Sequence, residues 1–384
     1  MSRRCDQSSD GGGQHESHGS ALLEYDAVGI LSKKTPTALD ASPATGTVAG
    51  VAAARHGRYR RLVPTRRTFL AAALAAPLAP LLEGPTAEAP LAGSPMNDAQ
   101  RNNPQTAPRG TMLLAIHQNT SRASGYRASL EGWARAGIEY VELNDRMLDG
   151  FLENDTLPAA RRVMTDLGLT PVSAAAVLQD LWIPGPARAA SLETWRRRCE
   201  QFAGLGLQKV YCPSITNRAV TAEDFAATPD CIWEVGEIAA EYELTTMIEF
   251  LRTSTHLATL TSALDVIREA AHPNVRPMID FFHFWSGLSK LEDLDLLETG
   301  ELAHAHFQDL LAGPRELIDN DSRLIPGDGI APLVRILRKL AEKQYDGALS
   351  VELFRAELVR GDPFEVATEI RQKCEAVMRE AGVL

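Results

Sequence analysis

Short apolar runs alternate with amphipathic stretches along residues 111–384. Eight of these runs are predicted to be strands: Met112–Ile116, Tyr140–Leu143, Pro171–Val177, Lys209–Cys212, Thr245–Phe250, Arg276–Phe281, Leu302–Phe307 and Ala348–Leu353. Most are almost continuously apolar, which is typical of strands that are covered on both faces. The stretches between them carry apolar residues at helical spacing, as in the stripe Leu192, Trp195, Cys199 and Phe202. The pattern predicts consecutive βα units around a parallel sheet.

Eight βα units in one stretch predict a single-domain (β/α)8 TIM barrel over residues 111–384. A doubly wound sheet is the alternative, but it usually has fewer strands and a glycine-rich phosphate loop after the first one. Here the first predicted strand is followed by His117, Gln118 and Asn119, without a G-x-G-x-x-G motif. Glycines at Gly137, Gly206 and Gly347 are predicted to end helices before the strands that follow them.

Residues 1–110 differ in composition, being rich in Gly, Ser, Ala, Pro and Thr without a sustained period. This composition predicts a disordered leader and linker. Within it, residues 55–89 have the layout of a signal peptide, with clustered arginines, the apolar run Ala71–Leu82 and then small residues. The pair Arg66 and Arg67 before Thr-Phe-Leu resembles a twin-arginine (Tat) signal, which implies export of the folded protein by the Tat machinery.

Two features qualify this interpretation of the leader. The arginines lie 65 residues into the chain, so we expect translation to begin further in, at a valine such as Val51 or Val63. Ala87-Glu88-Ala89 is a candidate cleavage site for signal peptidase, and the exact position of cleavage is left open. The alternative interpretation is an arginine-flanked, alanine-rich segment without a signal function. Export predicts a periplasmic or extracellular location, and the alternative predicts a cytoplasmic one.

The charge of the chain is uneven. Residues 1–110 carry 12 Lys and Arg against 9 Asp and Glu, whereas residues 111–384 carry 27 Lys and Arg against 41 Asp and Glu. The predicted barrel therefore has a net charge of −14, in a chain whose net charge is −11. A protein that binds a phosphate backbone needs the opposite field, so nucleic acid is excluded as a partner. The five cysteines are dispersed and odd in number, which indicates structural thiols rather than a disulfide framework or a zinc ribbon.

Polar side chains close four consecutive predicted strands. They are Glu249, Asp280, His306 and Glu352, at the ends of strands five to eight. In a barrel of this kind the carboxyl ends of the strands form the functional face, so these groups are expected to point into one shared volume. A buried charge costs several kcal/mol unless it is paired or binds a metal, and three acids together repel one another.

One divalent metal ion bound by these four residues is the simplest solution. Three carboxylates and one imidazole form a mostly hard ligand set, which favours Mn²⁺ and also suits Mg²⁺, Co²⁺ or Zn²⁺. The alternative is that each residue is a strand-end group in an ion pair with a loop arginine. Four such groups in register on consecutive strands favour the metal.

Several motifs then resemble a known family. They are Glu249, Asp280-x-x-His283, His304-x-His306, the segment Arg323-Leu-Ile-Pro-Gly-Asp-Gly329 and the segment Ser350-Val-Glu-Leu-Phe354. This set resembles the xylose-isomerase-like barrel superfamily of sugar isomerases and epimerases over residues 111–384, most specifically over residues 245–355. The resemblance implies that Glu249, Asp280, His306 and Glu352 bind the metal. It also implies that His283 contacts substrate oxygens.

The predicted function is therefore a metal-dependent isomerase or epimerase acting on a sugar or cyclitol. A cation stabilises an enediolate, and Glu249 and Glu352 on opposite sides are predicted to remove and return its proton. Loss of a β-hydroxyl from the same enediolate would make the enzyme a keto-sugar or inosose dehydratase, which is the alternative. A second alternative is a metal-dependent sugar-binding protein without turnover. The endonuclease branch of the superfamily is excluded by the −14 charge and by the lack of further metal ligands.

Other residues are expected around the same mouth. Arg323 and His117 are predicted substrate contacts, and Glu142 is a weaker candidate. His304 is predicted to lie one layer deeper than His306 and to be structural. The remaining candidates are loop arginines that could hold a substrate hydroxyl or phosphate and aromatic residues near strand ends that could stack on a sugar face. Solvation of the arginines and rim packing of the rings are equal alternatives for these residues: Arg252, Arg315, Arg355, Trp182, Phe282 and Trp285. The sequence leaves open whether the protein is a homo-oligomer.

Overall fold

The computed structural model describes residues 111–384, so the predicted leader and its signal segment lie outside the described residues. Eight strands occur where the apolar runs predicted them, and each boundary agrees to within two residues. The strands are β1 (Leu113–His117), β2 (Tyr140–Asn144), β3 (Thr170–Ala175), β4 (Lys209–Pro213), β5 (Thr245–Glu249), β6 (Val275–Asp280), β7 (His304–His306) and β10 (Ala348–Val351). A further pair, β8 (Asp309–Leu310) and β9 (Arg323–Leu324), was not predicted.

The eight predicted strands form a closed barrel. Each is parallel to its neighbours, and β1 closes the ring by pairing with both β2 and β10. The predicted (β/α)8 barrel is thus confirmed and the doubly wound alternative is wrong. Because β5, β6, β7 and β10 are consecutive around the ring, their carboxyl ends meet at one edge.

Ten helices surround or follow the strands in the described part of the chain. They are α1 (Gly125–Arg135), α2 (Asp145–Leu152), α3 (Leu157–Asp166), α4 (Arg188–Gly204), α5 (Ala222–Ala240), α6 (Leu260–Ala270), α7 (Phe281–Ser286), α8 (Leu333–Glu342), α9 (Ala356–Val359) and α10 (Pro363–Ala381). The stripe predicted for α4 is buried at Trp195, Cys199 and Phe202. None of these helices combines the length and apolar character of a membrane span.

Two of three glycines predicted as helix stops adopt the left-handed conformation. Gly137 has φ 78° and Gly206 has φ 90°, which other residues reach only with strain. The prediction for Gly347 was wrong, because the left-handed residue after α8 is Gln344, with φ 58°. Gly347 instead makes room for a ring: a Cβ there would lie 2.7 Å from atoms of Tyr345.

Alternation along the strands separates two cores. One apolar core fills the space between the sheet and the helices, around Trp133 and Trp195. A smaller one lies inside the barrel, where Tyr211, Met247 and Met278 pack together. Residues two positions further along a strand share its face, so the ends of β5 and β6 continue the inner layer. The strand-end carboxylates therefore sit directly above a small apolar floor.

The pair β8 and β9 is antiparallel and carries the segment with the Pro-Gly-Asp-Gly turn. The buried Asp309 carboxylate accepts backbone N–H groups from Gly327, Gly329 and Ala331 at 2.9–3.1 Å. A carboxylate bonded to several backbone donors fixes a loop firmly. This segment is thereby held beside the barrel mouth, with Arg323 at its start.

The four cysteines in the described residues, Cys199, Cys212, Cys231 and Cys374, are free and buried. Burial raises the pKa of the Cys199 thiol to about 12. Such a thiol stays protonated near neutral pH and packs as a small apolar group. The structural role predicted for these four cysteines is confirmed, while Cys5 lies outside the described part.

Replacing Gly132 with alanine is expected to lower the free energy of unfolding by about 1–3 kcal/mol, the usual effect of overpacking. Helices α1 and α10 touch at this glycine, where an added Cβ would lie 2.5 Å from the Pro363 Cβ and 2.9 Å from the Phe364 nitrogen. Gly150→Ala in α2 is the control, because its Cβ would meet no atom within 4 Å. Urea denaturation should show a lower midpoint only for Gly132→Ala; equal midpoints would refute this account of the contact.

Candidate functional site

Four side chains from neighbouring strands converge at the carboxyl end of the barrel. Glu249, Asp280 and His306 are the last residues of β5, β6 and β7, and Glu352 directly follows β10. The Nδ1 atom of His306 lies 3.4 Å from Glu249 Oε1 and 3.3 Å from Asp280 Oδ2. The same nitrogen is 3.4 Å from Glu352 Oε2. All four residues are buried, so the residues predicted to meet do meet.

These distances fit a single bound cation. One ligand atom from each of the four residues lies within 4.8 Å of every other. Around a tetrahedral ion with bonds of about 2.1 Å, ligand atoms are about 3.4 Å apart. Three buried carboxylates around one nitrogen also need positive charge to offset their repulsion. The donors are three oxygens and one nitrogen, a set that suits a hard or borderline divalent ion.

Arg323 supplies positive charge at the same place. Its Nη1 donates to Asp280 Oδ2 at 2.6 Å and to Glu352 Oε2 at 3.1 Å, the two oxygens that face His306. Its Nη2 lies 3.2 Å from His283 Nε2. Two of the three predicted substrate contacts, Arg323 and His283, are therefore next to the four converging side chains. Their role toward a substrate stays a prediction.

The guanidinium of Arg323 is enclosed by aromatic rings. Its central carbon lies 4.4 Å from the centre of the Phe282 ring and 5.1 Å from that of Phe354. Rings on a guanidinium stabilise its charge and limit its rotation. Phe282, which was considered as a platform for a sugar, thus packs on Arg323. Trp182 is core, since it is buried and its indole N–H donates to the Cys212 carbonyl at 3.1 Å.

The environments of the carboxylates differ. Burial raises the pKa of Glu249 to about 7. Burial acts in the same direction on Glu352, but the charges of His306 and Arg323 bring its pKa down to about 2. Burial also acts upward on Asp280, but Arg323, His283 and His306 together hold the pKa of that carboxyl well below its usual range. Without a bound cation, Glu249 is the one of the three acids that gains and loses a proton most easily near neutral pH.

His117 lies beside Glu352, where its ring is completely buried. Its Nδ1 accepts the backbone N–H of Asn119 at 3.0 Å and lies 3.7 Å from Glu352 Oε1. Because Nδ1 accepts a hydrogen bond, the proton of the neutral ring is on Nε2, which lies 3.2 Å from the Tyr211 hydroxyl. Both nitrogens of the predicted substrate contact thus already have protein partners.

Glu142 is not at the mouth, so its interpretation as a substrate contact was wrong. It is the third residue of β2, two short of the strand end, and its side chain lies in the layer below. Its Oε2 is 3.0 Å from His304 Nε2 and 3.2 Å from His306 Nε2. His304 is one layer deeper than His306, as predicted from their spacing on one strand.

Two amides at the site were not predicted from the sequence. The Asn119 side chain donates to Glu352 Oε1 at 2.8 Å, and the Gln308 side chain donates to Asp280 Oδ1 at 2.5 Å. Their positions gave a weak signal, since Asn119 comes two residues after β1 and Gln308 two residues after His306. Each amide orients one carboxylate and leaves its other oxygen facing the cluster.

Three further arginines near the strand ends have protein partners. Arg252 donates to the backbone carbonyls of Ile318 and Arg315. Arg315 donates to the Gly287 carbonyl at 2.6 Å, and Arg355 pairs with Glu357. These contacts fix loops at the rim of the barrel. Trp285 packs in the same region, against the small cluster that contains Phe282.

Comparisons with known proteins agree with this architecture. A family model described as "Xylose isomerase-like TIM barrel" matches residues 130–380. An inosose isomerase of Halalkalibacterium halodurans is 24% identical over 251 residues, which are 64% of this chain and 89% of that protein. An inosose isomerase of Bacillus velezensis is 23% identical over 272 residues, covering 70% of this chain and 97% of that protein.

Solved structures show the same fold. A crystal structure of the IOLI protein "with a binding zinc atom" has a TM-score of 0.66 and 21% identity, covering 70% of this chain and 99% of the other. D-allulose 3-epimerase from Methylomonas sp., in complex with D-allulose, has a TM-score of 0.58 and 17% identity, covering 70% of this chain and 97% of the other. At these identities the likeness establishes the barrel.

Proposed function

The chain belongs to the xylose isomerase-like TIM barrel family, and from this premise we propose that it is a metal-dependent isomerase or epimerase acting on a sugar or cyclitol. The observation that carries the proposal is the convergence of Glu249, Asp280 and Glu352 on the Nδ1 atom of His306. The names of its relatives, inosose isomerase and D-allulose 3-epimerase, support an enzyme of the isomerase class.

In this proposal one divalent ion is held by Glu249, Asp280, His306 and Glu352, with Mn²⁺ favoured over Mg²⁺, Co²⁺ and Zn²⁺. When bound, such an ion would supply a Lewis acid beside a substrate carbonyl, which would make the hydrogen on the neighbouring carbon more acidic. Glu249 removes that proton and Glu352 returns one from the other side, since β5 and β10 are separated by two strands. Return to the neighbouring carbon is isomerisation, and return to the opposite face is epimerisation.

Glu352 and Glu249 are suited to different parts of this transfer. Asn119 and Arg323 hold one oxygen each of Glu352, so this carboxylate is fixed in position. The Glu249 carboxylate has only the His306 ring within ion-pair distance among the described side chains. Glu249 is therefore the stronger candidate for the base that removes the first proton, and we propose that Arg323 and His283 hold substrate hydroxyls.

We further propose that the substrate is not phosphorylated. Arginine and lysine side chains are common partners of phosphate groups, which backbone N–H groups can also bind. The arginines that follow strands β5 to β10 are already engaged: Arg252 and Arg315 with carbonyls, Arg323 with carboxylates and Arg355 with Glu357. Binding a phosphate ester through one of these arginines would break existing contacts at the rim of the barrel.

Incubation in D₂O tests the reaction. Metal-loaded protein is offered free keto-sugars and inososes, with their phosphate esters for comparison, and products are followed by NMR. We expect deuterium to enter the carbon next to the carbonyl of a free sugar or cyclitol without loss of water, because the proton passes through a carboxylate that exchanges with solvent.

The other outcomes separate the alternatives. Stoichiometric loss of water would identify a dehydratase that uses the same enediolate. Binding without deuterium incorporation from any candidate would indicate a sugar-binding protein. Preference for phosphate esters would contradict the proposed substrate class alone. Export by the Tat machinery stays a prediction from the sequence, because its signal segment lies outside the described residues.

A further inference from the structure

Three buried side chains form a second cluster beneath the proposed metal ligands. Glu142 on β2 faces His304 and His306 on β7, and the exposure of these residues is 0%, 1% and 0%. The Glu142 Oε2 atom lies 3.0 Å from His304 Nε2 and 3.2 Å from His306 Nε2. His306 belongs to both clusters, since its opposite nitrogen, Nδ1, faces the three carboxylates above.

The two nitrogens of the His306 ring must have different roles. A neutral imidazole carries one proton, and a nitrogen that binds a cation cannot keep it. If Nδ1 binds the cation, the proton lies on Nε2 and needs an acceptor in this buried place. Glu142 Oε2 lies 3.2 Å from Nε2 but does not form a hydrogen bond with it in this structure, so Nε2 is a buried nitrogen without a hydrogen-bond partner and Glu142 is the carboxylate beside it.

His304 holds Glu142 in this position. The Nε2 atom of His304, two residues before His306 on β7, also contacts Glu142 Oε2, so the rings of His304 and His306 face one carboxylate oxygen. Burying the charged Glu142 carboxylate without partners would cost free energy, and the contacts with the two imidazole rings offset that cost. Removing its charge should therefore affect the orientation of His306 directly.

We propose that Glu142 is a positioning residue that keeps the proton of His306 on Nε2 and thereby presents Nδ1 as the metal ligand, with His304 orienting Glu142. The proposal rests on the metal site of the proposed function. Carboxylates behind a ligating histidine generally fix its tautomer and raise its basicity. Here the carboxylate comes from the strand β2, which contributes no residue to the four proposed ligands.

The first test is NMR of the wild-type protein, labelled with nitrogen-15 histidine and loaded with cadmium-113. A scalar coupling between the metal and one ring nitrogen identifies the ligand atom without assignment of every histidine. We expect the coupling at Nδ1 of one ring whose Nε2 carries a slowly exchanging proton. Coupling at Nδ1 of a ring whose Nε2 proton exchanges rapidly would overturn the positioning proposal and leave the metal site standing. Coupling at Nε2 would overturn both, because that nitrogen of His306 faces Glu142 and not the three carboxylates. No coupling to any histidine would overturn the metal site itself.

The second test is Glu142→Gln, which keeps the shape of the side chain and removes its charge. We expect its affinity for Mn²⁺, measured by calorimetry, to fall by about 10–100-fold. The Nε2 proton of the ligating ring should also exchange faster with solvent in this variant. Glu139→Gln, at an exposed residue just before β2, is the control and should bind Mn²⁺ like the wild type. Unchanged affinity in a folded Glu142→Gln protein would overturn the proposal; if that variant does not fold, the wild-type NMR result decides.

Discussion

Removing the metal with a chelator is expected to abolish turnover and to lower the melting temperature of the protein. The oxygens of Glu249, Asp280 and Glu352 lie 3.3–3.4 Å from one nitrogen, so a cation among them offsets their repulsion. An ion present at 100 to 1,000 times its Kd stabilises the folded state by about 2.7–4.1 kcal/mol. For a domain of this size that corresponds to roughly 5–15 °C. Calorimetry with Mn²⁺ or with EDTA, together with metal analysis, measures both effects.

Two variants make this experiment specific to the site. Asp280→Asn also loses a contact with Arg323, so the relevant quantity is its difference in melting temperature with and without Mn²⁺, which should nearly vanish. Asp265→Asn changes an exposed carboxylate on α6 and should keep the full difference. If chelation leaves the melting temperature and the activity of the wild type unchanged, the four residues do not form a metal site.

The four converging residues could be predicted because their position depends on few variables. Apolar runs locate the strands, and a parallel barrel brings all carboxyl ends to one face. The polar residue at the end of each run then points toward the others. Glu249, Asp280 and His306 fit this rule as the last residues of their strands, and Glu352 is one residue beyond β10. Errors of one residue in a strand boundary do not change this conclusion.

The contacts of Glu142 and Arg323 depend on features of the three-dimensional structure that the pattern of hydrophobic and polar residues does not contain. Glu142 is in the middle of β2, and its partners come from β7, which is not a neighbour of β2 in the ring. Its contact with His306 therefore depends on the width of the barrel and on the layer that each side chain occupies. Arg323 lies in the short strand β9, whose pairing with β8 is set by the contacts of Asp309 with a turn. Neither β8 nor β9 contains a hydrophobic run from which the strand could be predicted.

Replacing Glu249 with glutamine is expected to lower kcat by about 10²–10⁴-fold, the usual contribution of a general acid or base. Glutamine keeps the shape and a ligand oxygen but cannot accept the substrate proton. The arrangement of the site makes this residue the sensitive one, since Glu352 is held by Asn119 and Arg323. KM should change much less than kcat, because substrate hydroxyls are proposed to be held by other side chains. The measurement is kcat and deuterium incorporation at equal metal occupancy.

Metal content decides how the result for Glu249→Gln is interpreted, since Glu249 is also a proposed ligand. At full occupancy, a loss of both turnover and deuterium incorporation identifies Glu249 as the base. Retained incorporation without product would instead assign the first proton to Glu352 and its return to Glu249. Glu269→Gln, at an exposed glutamate of α6, controls for the substitution itself and should match the wild type. A kcat within tenfold of the wild type in the metal-loaded Glu249→Gln protein would show that Glu249 does not transfer the proton, because glutamine cannot act as a base at that position.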